Sequence, residues 1–105
     1  MRLGIVRGRV VLNLATASLL GVRLVIVEPV SAKQLASGKG ADTAVTPVVA
    51  VDQLGAAEGQ MVAFVEGREA ANPWWPEIAP VDAYCSLIVE SVDCRPPKNL
   101  KHLMV

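Results

Sequence analysis

Residues 22–30 read Val-Arg-Leu-Val-Ile-Val-Glu-Pro-Val, and this stretch decides the fold class. Aliphatic and β-branched residues are favoured on the pleated surface of a sheet, and a run of this length is typical of one strand. The centre of the run is apolar at odd and even positions alike. Because successive side chains of a strand point to opposite faces, both faces of this strand must be covered.

Four more strand-like stretches lie on either side of this one. Strands are predicted at residues 3–12, 22–30, 45–51, 60–66 and 81–92. The first of them carries Gly4 and Gly8, which an unbroken alternation would place on the same face. Glycine within a strand marks a bulge, a bend or the close approach of another backbone, so we expect both glycines to admit a close neighbour.

The segments between the strands are rich in turn residues. Residues 31–43 are polar and contain two glycines, which predicts a loop or a flexible hairpin tip. Residues 67–71 predict a single helical turn that ends at Asn72-Pro73, and residues 72–80 predict an ordered but irregular loop. Five short strands with one interrupting turn indicate an all-β protein, a five-stranded OB-like barrel that is closed or partly open.

The composition bears on whether the chain functions alone. Its 105 residues suffice for one domain, which we place at residues 1–94, followed by a tail at 95–105. Hydrophobic residues make up 52% of the chain and aromatic residues only 4%, so the apolar content is mostly aliphatic. A domain this small has too little interior to bury all of that material. We therefore expect an obligate oligomer.

Charge and hydropathy exclude several classes of partner. Ten basic and ten acidic residues cancel, so no net field attracts the chain to nucleic acid. No apolar run approaches the roughly 18 residues of a membrane span, and the first residues lack the pattern of a secretory signal. We expect a cytoplasmic protein that binds neither nucleic acid nor membrane.

Candidates for catalysis or metal binding are weak. Cys85 and Cys94 are nine residues apart in one strand-like segment, so they should face opposite ways as buried free thiols rather than as a disulfide. The single histidine, His102, lies in the tail and has no second histidine to complete a metal site. Residues 37–40, Ser-Gly-Lys-Gly, lack the flanking residues of a phosphate-binding loop. No catalytic, cofactor or metal residue is predicted, and the chain is not expected to be an enzyme.

The adjacent pair Trp74 and Trp75 is the most informative aromatic feature. Neighbouring side chains diverge, so both rings cannot readily enter one small core. We expect one ring to cap the barrel and the other to meet a second chain, since tryptophan is enriched at interface hot spots. The alternative is that both rings fold over their own subunit. A base-stacking platform would need basic neighbours, whereas the nearby residues are Glu69 and Glu77.

Four segments, taken in order, carry a resemblance to a known family. They are residues 1–11 (Met-Arg-Leu-Gly-Ile-Val-Arg-Gly-Arg-Val-Val), 18–24 (Ser-Leu-Leu-Gly-Val-Arg-Leu), 49–59 (Val-Ala-Val-Asp-Gln-Leu-Gly-Ala-Ala-Glu-Gly) and 80–92, with Pro-Val-Asp-Ala at its start and Ile-Val-Glu-Ser-Val at its end. Together they resemble the EutN/CcmL family, the pentameric vertex proteins of bacterial microcompartment shells, including carboxysomes. The resemblance spans residues 1–94.

The resemblance implies a fold, an assembly and a function. It implies a five-stranded OB-like barrel in a cyclic homopentamer that closes a polyhedral, carboxysome-like shell around metabolic enzymes. The implied partners are copies of the same chain and the hexameric shell proteins of the compartment, and the implied location is the shell of a microcompartment in the cytoplasm. The other hypothesis, from a different class, is an OB-type binding module for an oligonucleotide or a small metabolite.

One departure from the family pattern adds to the candidate assembly residues. Where the family commonly reads Gly-Ser-Ser-Ala-Arg, residues 67–71 read Gly-Arg-Glu-Ala-Ala, so small hydroxyls are replaced by a charged pair. The residues that we expect at an assembly surface are Gly4, Gly8, Arg68, Glu69, Trp74 and Trp75.

Overall fold

The computed structural model describes residues 1–37 and 46–94, which form a closed five-stranded barrel. Its strands are β1 (Arg2–Val10), β2 (Leu24–Val30), β3 (Val48–Val51), β4 (Met61–Glu66) and β5 (Ala83–Ile88). The barrel closes in the order β1-β2-β3-β5-β4; the β3–β5 pair is parallel and the others are antiparallel. The predicted all-β class and five-stranded barrel are confirmed.

The hydrophobic core fills the barrel and is built from alternate residues of each strand. In β2, Val25 and Val27 are fully buried, while Ile26 between them is only partly covered. In β4, Val62 and Phe64 take the same inward positions, and Phe64 is the largest fully buried side chain. The period of two that predicts a strand therefore also separates the core residues from those on the outside of the barrel.

A bulge in β1 changes which way its second glycine faces. Val6 pairs with Val27 but Gly8 pairs with Ile26, so Arg7 is an extra residue in the strand. Such an insertion reverses the alternation beyond it. Gly8 therefore shares the outward face of Ile26, whereas Gly4 faces the core, and the expectation that they lie on one face is wrong.

The segment after β2 is helical where a loop was expected. Helix α1 (Ala32–Ser37) starts at a reciprocal cap, in which the Gln34 amide donates to Oγ of Ser31 at 3.2 Å and the Ser31 amide donates to Oε1 of Gln34 at 2.8 Å. This is a capping box, which satisfies two backbone donors at the start of the helix. The loop prediction is wrong for residues 32–37, and residues 38–43 lie outside the described part of the chain.

Two 3₁₀ helices complete the described structure, at Ala17–Leu19 and Gly67–Trp74. The second is longer than the single turn that was expected to end at Asn72-Pro73. It continues through Pro73 because the fixed φ of proline, near −65°, lies within the range of a 3₁₀ helix, and it ends where the Trp75 amide donates to the Asn72 carbonyl at 2.9 Å.

The two cysteines are free thiols, as expected, but their surroundings differ. Cys85 is buried in β5, whereas Cys94 is exposed, so the expectation that both are buried is wrong for Cys94. The strand ends at Ile88 rather than at residue 92, and Cys94 lies beyond it.

His102, the 95–105 tail and residues 38–40 fall outside the described ranges. Across residues 1–37 and 46–94, no helix has the length and apolar character needed to span a bilayer.

Candidate assembly surface

One outer side of the barrel is apolar across three strands. Leu3 of β1 pairs with Ala63 of β4, which pairs with Leu87 of β5, and Ile5 pairs with Met61 beside them. These five residues, named here the β1–β4–β5 face, alternate with core residues and therefore point away from the barrel axis. Leu87 is 40% exposed, and Ala63 is buried between its two leucine neighbours.

A second apolar side lies across the barrel from the first. Ile26 of β2 pairs with Val49 of β3, and Leu24 pairs with Val51; Ile26, Val49 and Leu24 are named here the β2–β3 face. Val49 is 48% exposed although it lies in the middle of a strand. In the closed order, β4 is separated from β2 by β1 and from β3 by β5, so the centre of the first face, on β4, lies across the barrel from the second.

The β2–β3 face continues into a groove at one end of the barrel. Leu19 and Leu24 line this groove together with exposed Leu12, Leu14 and Leu20, which follow the end of β1. Leu14 alone is 90% exposed. Contiguous apolar surface of this kind marks an interaction site in a folded protein.

The two tryptophans lie in different environments, as divergence of neighbouring side chains predicts. Trp74 is partly buried and meets the Tyr84 ring edge-on, with ring centroids 5.9 Å apart and an interplanar angle of 87°. Trp75 is 81% exposed, and Ile78 nearby is 94% exposed. Trp75 and Ile78 are named here the Trp75/Ile78 patch. The sequence reasoning missed Ile78, an apolar residue in the same proline-rich loop.

The charged pair at positions 68 and 69 is exposed on the second 3₁₀ helix. Three ion pairs occur within the described ranges, Arg2 with Glu66, Arg7 with Glu28 and Arg23 with Asp52, so neither Arg68 nor Glu69 takes part in one there. Both charges are therefore available on the surface of the single chain.

Gly4 and Gly8 differ in the space around them. A Cβ on Gly4 would overlap Cγ1 of Val27 and stand 2.9 Å from the Glu28 carbonyl oxygen, which is fixed in the β1–β2 ladder. A Cβ on Gly8 would meet only Cδ1 of Ile26, at an ordinary 3.6 Å. The close neighbour expected at Gly4 lies within its own chain, and Gly8 has no comparably close neighbour there.

A buried carboxylate shapes the turn after β3. Asp52 accepts hydrogen bonds from the amides of Leu54 at 3.0 Å and Ala56 at 2.8 Å, and it also pairs with Arg23. Its side chain is fully buried, so these partners supply the solvation that water would otherwise provide. The Asp52 carboxylate therefore stabilises the turn after β3, and its hydrogen-bonding positions are taken by residues of its own chain.

The buried thiol nearby is also unsuited to chemistry. Burial raises the pKa of Cys85 to about 11, and the negative charge of Asp52 adds to that rise while Arg23 opposes it. A nucleophilic cysteine needs a lowered pKa, so this thiol stays protonated and unreactive near neutral pH. Residues 1–37 and 46–94 contain no group of three or more metal-ligating side chains close enough to hold an ion.

Residues 1–37 and 46–94 thus present extended apolar faces on the barrel, and comparison with known proteins shows which family shares this fold. The family model described as ethanolamine utilisation protein EutN/carboxysome matches residues 1–90. The chain belongs to the EutN/CcmL family. Among curated proteins it is similar to the bacterial microcompartment shell vertex protein EutN of Salmonella typhimurium, with 32% identity over 92 residues, which cover 88% of this chain and 86% of that protein.

Solved structures of EutN/CcmL relatives share the fold. The pentameric microcompartment shell protein GrpN of Rhodospirillum rubrum is 30% identical, with a TM-score of 0.71 over 89% of this chain and 96% of its own. CcmL of Gloeobacter violaceus is also 30% identical, with a TM-score of 0.73 over 90% of this chain and 93% of its own. The family resemblance carried by the four sequence segments is confirmed.

Proposed function

We propose that this chain is a structural protein that forms pentameric vertices of a polyhedral bacterial microcompartment shell. Membership of the EutN/CcmL family, with relatives named as shell vertex and pentameric shell proteins, carries the proposal. It is not an enzyme, and its place of action is the shell of the microcompartment, within the cytoplasm. The relatives favour this role over an OB-type binding module for an oligonucleotide or a small metabolite.

The geometry of shells explains why such a protein is needed. Hexagonal tiles alone form a flat sheet, and a sheet closes into a polyhedron only where five-fold positions interrupt it. A ring of five identical chains supplies such a position through head-to-tail contacts, in which one surface of a chain meets a different surface of the next. The neighbours around the ring are the hexameric shell proteins of the same compartment.

The candidate assembly residues take different parts in this proposal. Trp74, Trp75, Arg68 and Glu69 lie at or near contacts between chains in this proposal. Arg68, Glu69 and Trp75 are exposed, and Trp74, which is partly buried against Tyr84, directly precedes Trp75. Gly4 and Gly8 support assembly through the barrel wall, where Gly4 allows β1 and β2 to approach. We also propose residues 1–94 as the barrel domain and residues 95–105 as a tail.

Shell closure is the direct test of this function. The hexameric shell proteins encoded with this chain are expressed with and without it, and the products are purified and imaged by electron microscopy. Closed polyhedra are expected only when the chain is present, with sheets or tubes in its absence. Closed polyhedra formed equally well without it would overturn the vertex role. A monomer that retards single-stranded DNA would instead favour the binding module.

A further inference from the structure

We propose that the segment at residues 95–105 binds to a groove on the barrel of its own chain. The groove, named here the Glu77/Ile78 groove, is lined by Thr16, Ala17, Ser18, Trp74, Glu77 and Ile78. The proposal goes beyond the vertex function and does not depend on it.

The segment at residues 95–105 differs in charge from the rest of the chain. It holds three of the ten basic residues, Arg95, Lys98 and Lys101, and none of the ten acidic residues. Residues 1–94 therefore carry seven basic and ten acidic residues, so their net charge is −3 while that of the segment is +3 with its histidine neutral. Opposite net charges attract the segment to the barrel.

The Glu77/Ile78 groove matches the segment in charge. Glu77 lines this groove and Asp82 lines the adjacent one, and no basic residue lines either of them. Both carboxylates are exposed, and neither takes part in the three ion pairs that occur within the described ranges. Their negative charges are therefore available to the lysines of the segment.

Other apolar grooves of the barrel carry the opposite charge. Arg9 and Arg23 line the groove that follows the end of β1, and Arg2 lines the groove between the start of β1 and helix α1. A basic segment would meet like charge in both. Charge therefore selects the Glu77/Ile78 groove as the binding site.

The apolar residues of the two partners also match. Ile78 is 94% exposed, although isoleucine is among the residues most often buried, and Trp74 beside it is only partly buried. The segment supplies four apolar side chains close to its lysines, at Leu100, Leu103, Met104 and Val105. Covering Ile78 with these side chains removes apolar surface from water.

The segment is long enough to reach the groove. The groove lies beside the start of β5, because Trp74 meets the ring of Tyr84, the second residue of that strand. The segment follows the other end of β5, which has six residues and is therefore about 20 Å long. Eleven extended residues span up to about 36 Å, so the leucines can return along β5 to the groove.

Covalent attachment favours this occupant over a separate partner. A tethered segment meets its site at an effective concentration in the millimolar range, so a contact of modest affinity is sufficient. The family model ends at residue 90, so the segment lies outside the part of the chain that the family shares. We therefore expect this contact as a property of this chain rather than of the common barrel.

Zero-length cross-linking tests where the segment binds. A carbodiimide joins an amine to a carboxylate that it contacts, and mass spectrometry identifies the joined peptides. We expect Lys98 or Lys101 to be joined to Glu77 or Asp82. The matched control is Lys33, which is exposed on α1 and lines neither groove, so it should give no such link. Absence of every link from the two tail lysines to these carboxylates would overturn the proposal.

Isotope labelling shows which copy provides the groove. Isotopically light and heavy chains are unfolded, mixed and refolded together before the cross-linking. A link within one chain joins two peptides of the same isotope, which is the expected result. Links that join light and heavy peptides as often as mixing allows would place the segment on a neighbouring copy and overturn binding to its own chain.

Fluorescence of Trp74 measures whether the groove is covered. In Trp75→Phe, Trp74 is the only tryptophan. Replacing Leu100 and Leu103 by aspartate in this background should shift its emission to longer wavelength and increase its quenching by acrylamide, because water then reaches the groove. The control Val11→Asp changes an exposed residue that lines neither groove and should leave the emission unchanged. Unchanged emission in the aspartate variant would contradict the proposal.

These outcomes are separate from those of the vertex function. The cross-links and the Trp74 emission can be measured in a ring and in a monomer alike, so a chain that never forms a pentamer still tests the binding of the segment. An intact pentamer without the cross-links and without the emission shift would overturn this proposal and leave the vertex function standing.

Discussion

Arg23 and Asp52 are joined twice, once through the backbone and once through their side chains. The Asp52 amide donates to the Arg23 carbonyl at 2.9 Å, and Nη1 of Arg23 donates to Oδ2 of Asp52. Arg23 immediately precedes β2 and Asp52 immediately follows β3, so the pair extends the β2–β3 ladder by one step. The carboxylate is buried while the guanidinium reaches the surface.

Removal of the Asp52 carboxylate should destabilise the barrel. Asp52→Ala leaves the amides of Leu54 and Ala56 without their acceptor and Arg23 without its partner. Breaking a buried, hydrogen-bonded pair costs about 3 kcal/mol. Chemical denaturation should show a loss of that size for Asp52→Ala and a change below about 0.5 kcal/mol for the exposed control Glu58→Ala. Equal stability of the two variants would show that the turn does not depend on the carboxylate.

The two glycines of β1 should respond differently to substitution. Gly4→Ala places a Cβ against Val27 and the backbone oxygen of Glu28, and overpacking of this kind costs about 1–3 kcal/mol. Gly8→Ala meets only the end of the Ile26 side chain and should change the free energy of unfolding by less than about 1 kcal/mol. Thermal melting of both variants checks this. A Gly8→Ala variant that lost as much stability as Gly4→Ala would contradict the assigned geometry.

The strands were predictable from sequence because their signal is local. The period of two in β4 and the apolar run in β2 each identify a strand, although observed bounds differ from predicted ones by several residues at some ends. The bulge at Arg7 was not predictable, since it depends on how β1 pairs with β2 rather than on β1 itself. That single inserted residue turns Gly8 to the outside of the barrel, whereas unbroken alternation places it on the same face as Gly4.

The helix that replaces the predicted loop after β2 could have been predicted from the sequence. Ser31 and Gln34 have the spacing of a capping box, which indicates the start of α1 within a stretch that otherwise resembles a polar loop.

The candidate assembly surface was only partly predictable. Trp75 was identified from its proline-bounded setting, whereas the opposed apolar faces depend on the order of strands around the closed barrel, a non-local property.

The two thiols should differ in reactivity. Cys94 is exposed and should react with a thiol reagent at pH 8, whereas Cys85, with its pKa raised to about 11 by burial, should react only after unfolding. Titration with Ellman's reagent should therefore count one thiol in the native protein and two in denaturant. Rapid modification of both thiols under native conditions would contradict the burial of Cys85.

The raised pKa of Cys85 also predicts a dependence of stability on pH. The ordinary pKa of the thiol is 9.0, and the folded value is about 11, so the folded chain holds this proton more tightly than the unfolded chain. The resulting stabilisation is complete below about pH 9 and is lost as the pH rises from 9 towards 11. Over this range the free energy of unfolding should fall more steeply for wild type than for Cys85→Ala. Parallel curves for the two proteins would show that the Cys85 pKa is not raised.

The mass of the purified chain in solution, measured by light scattering during gel filtration, decides whether five copies assemble. We expect a single species of about 55 kDa, five times the 11.1 kDa of one chain, that persists on dilution. A well-folded monomer that stays monomeric at high concentration would contradict it, because the apolar faces on both sides of the barrel would then have no partner.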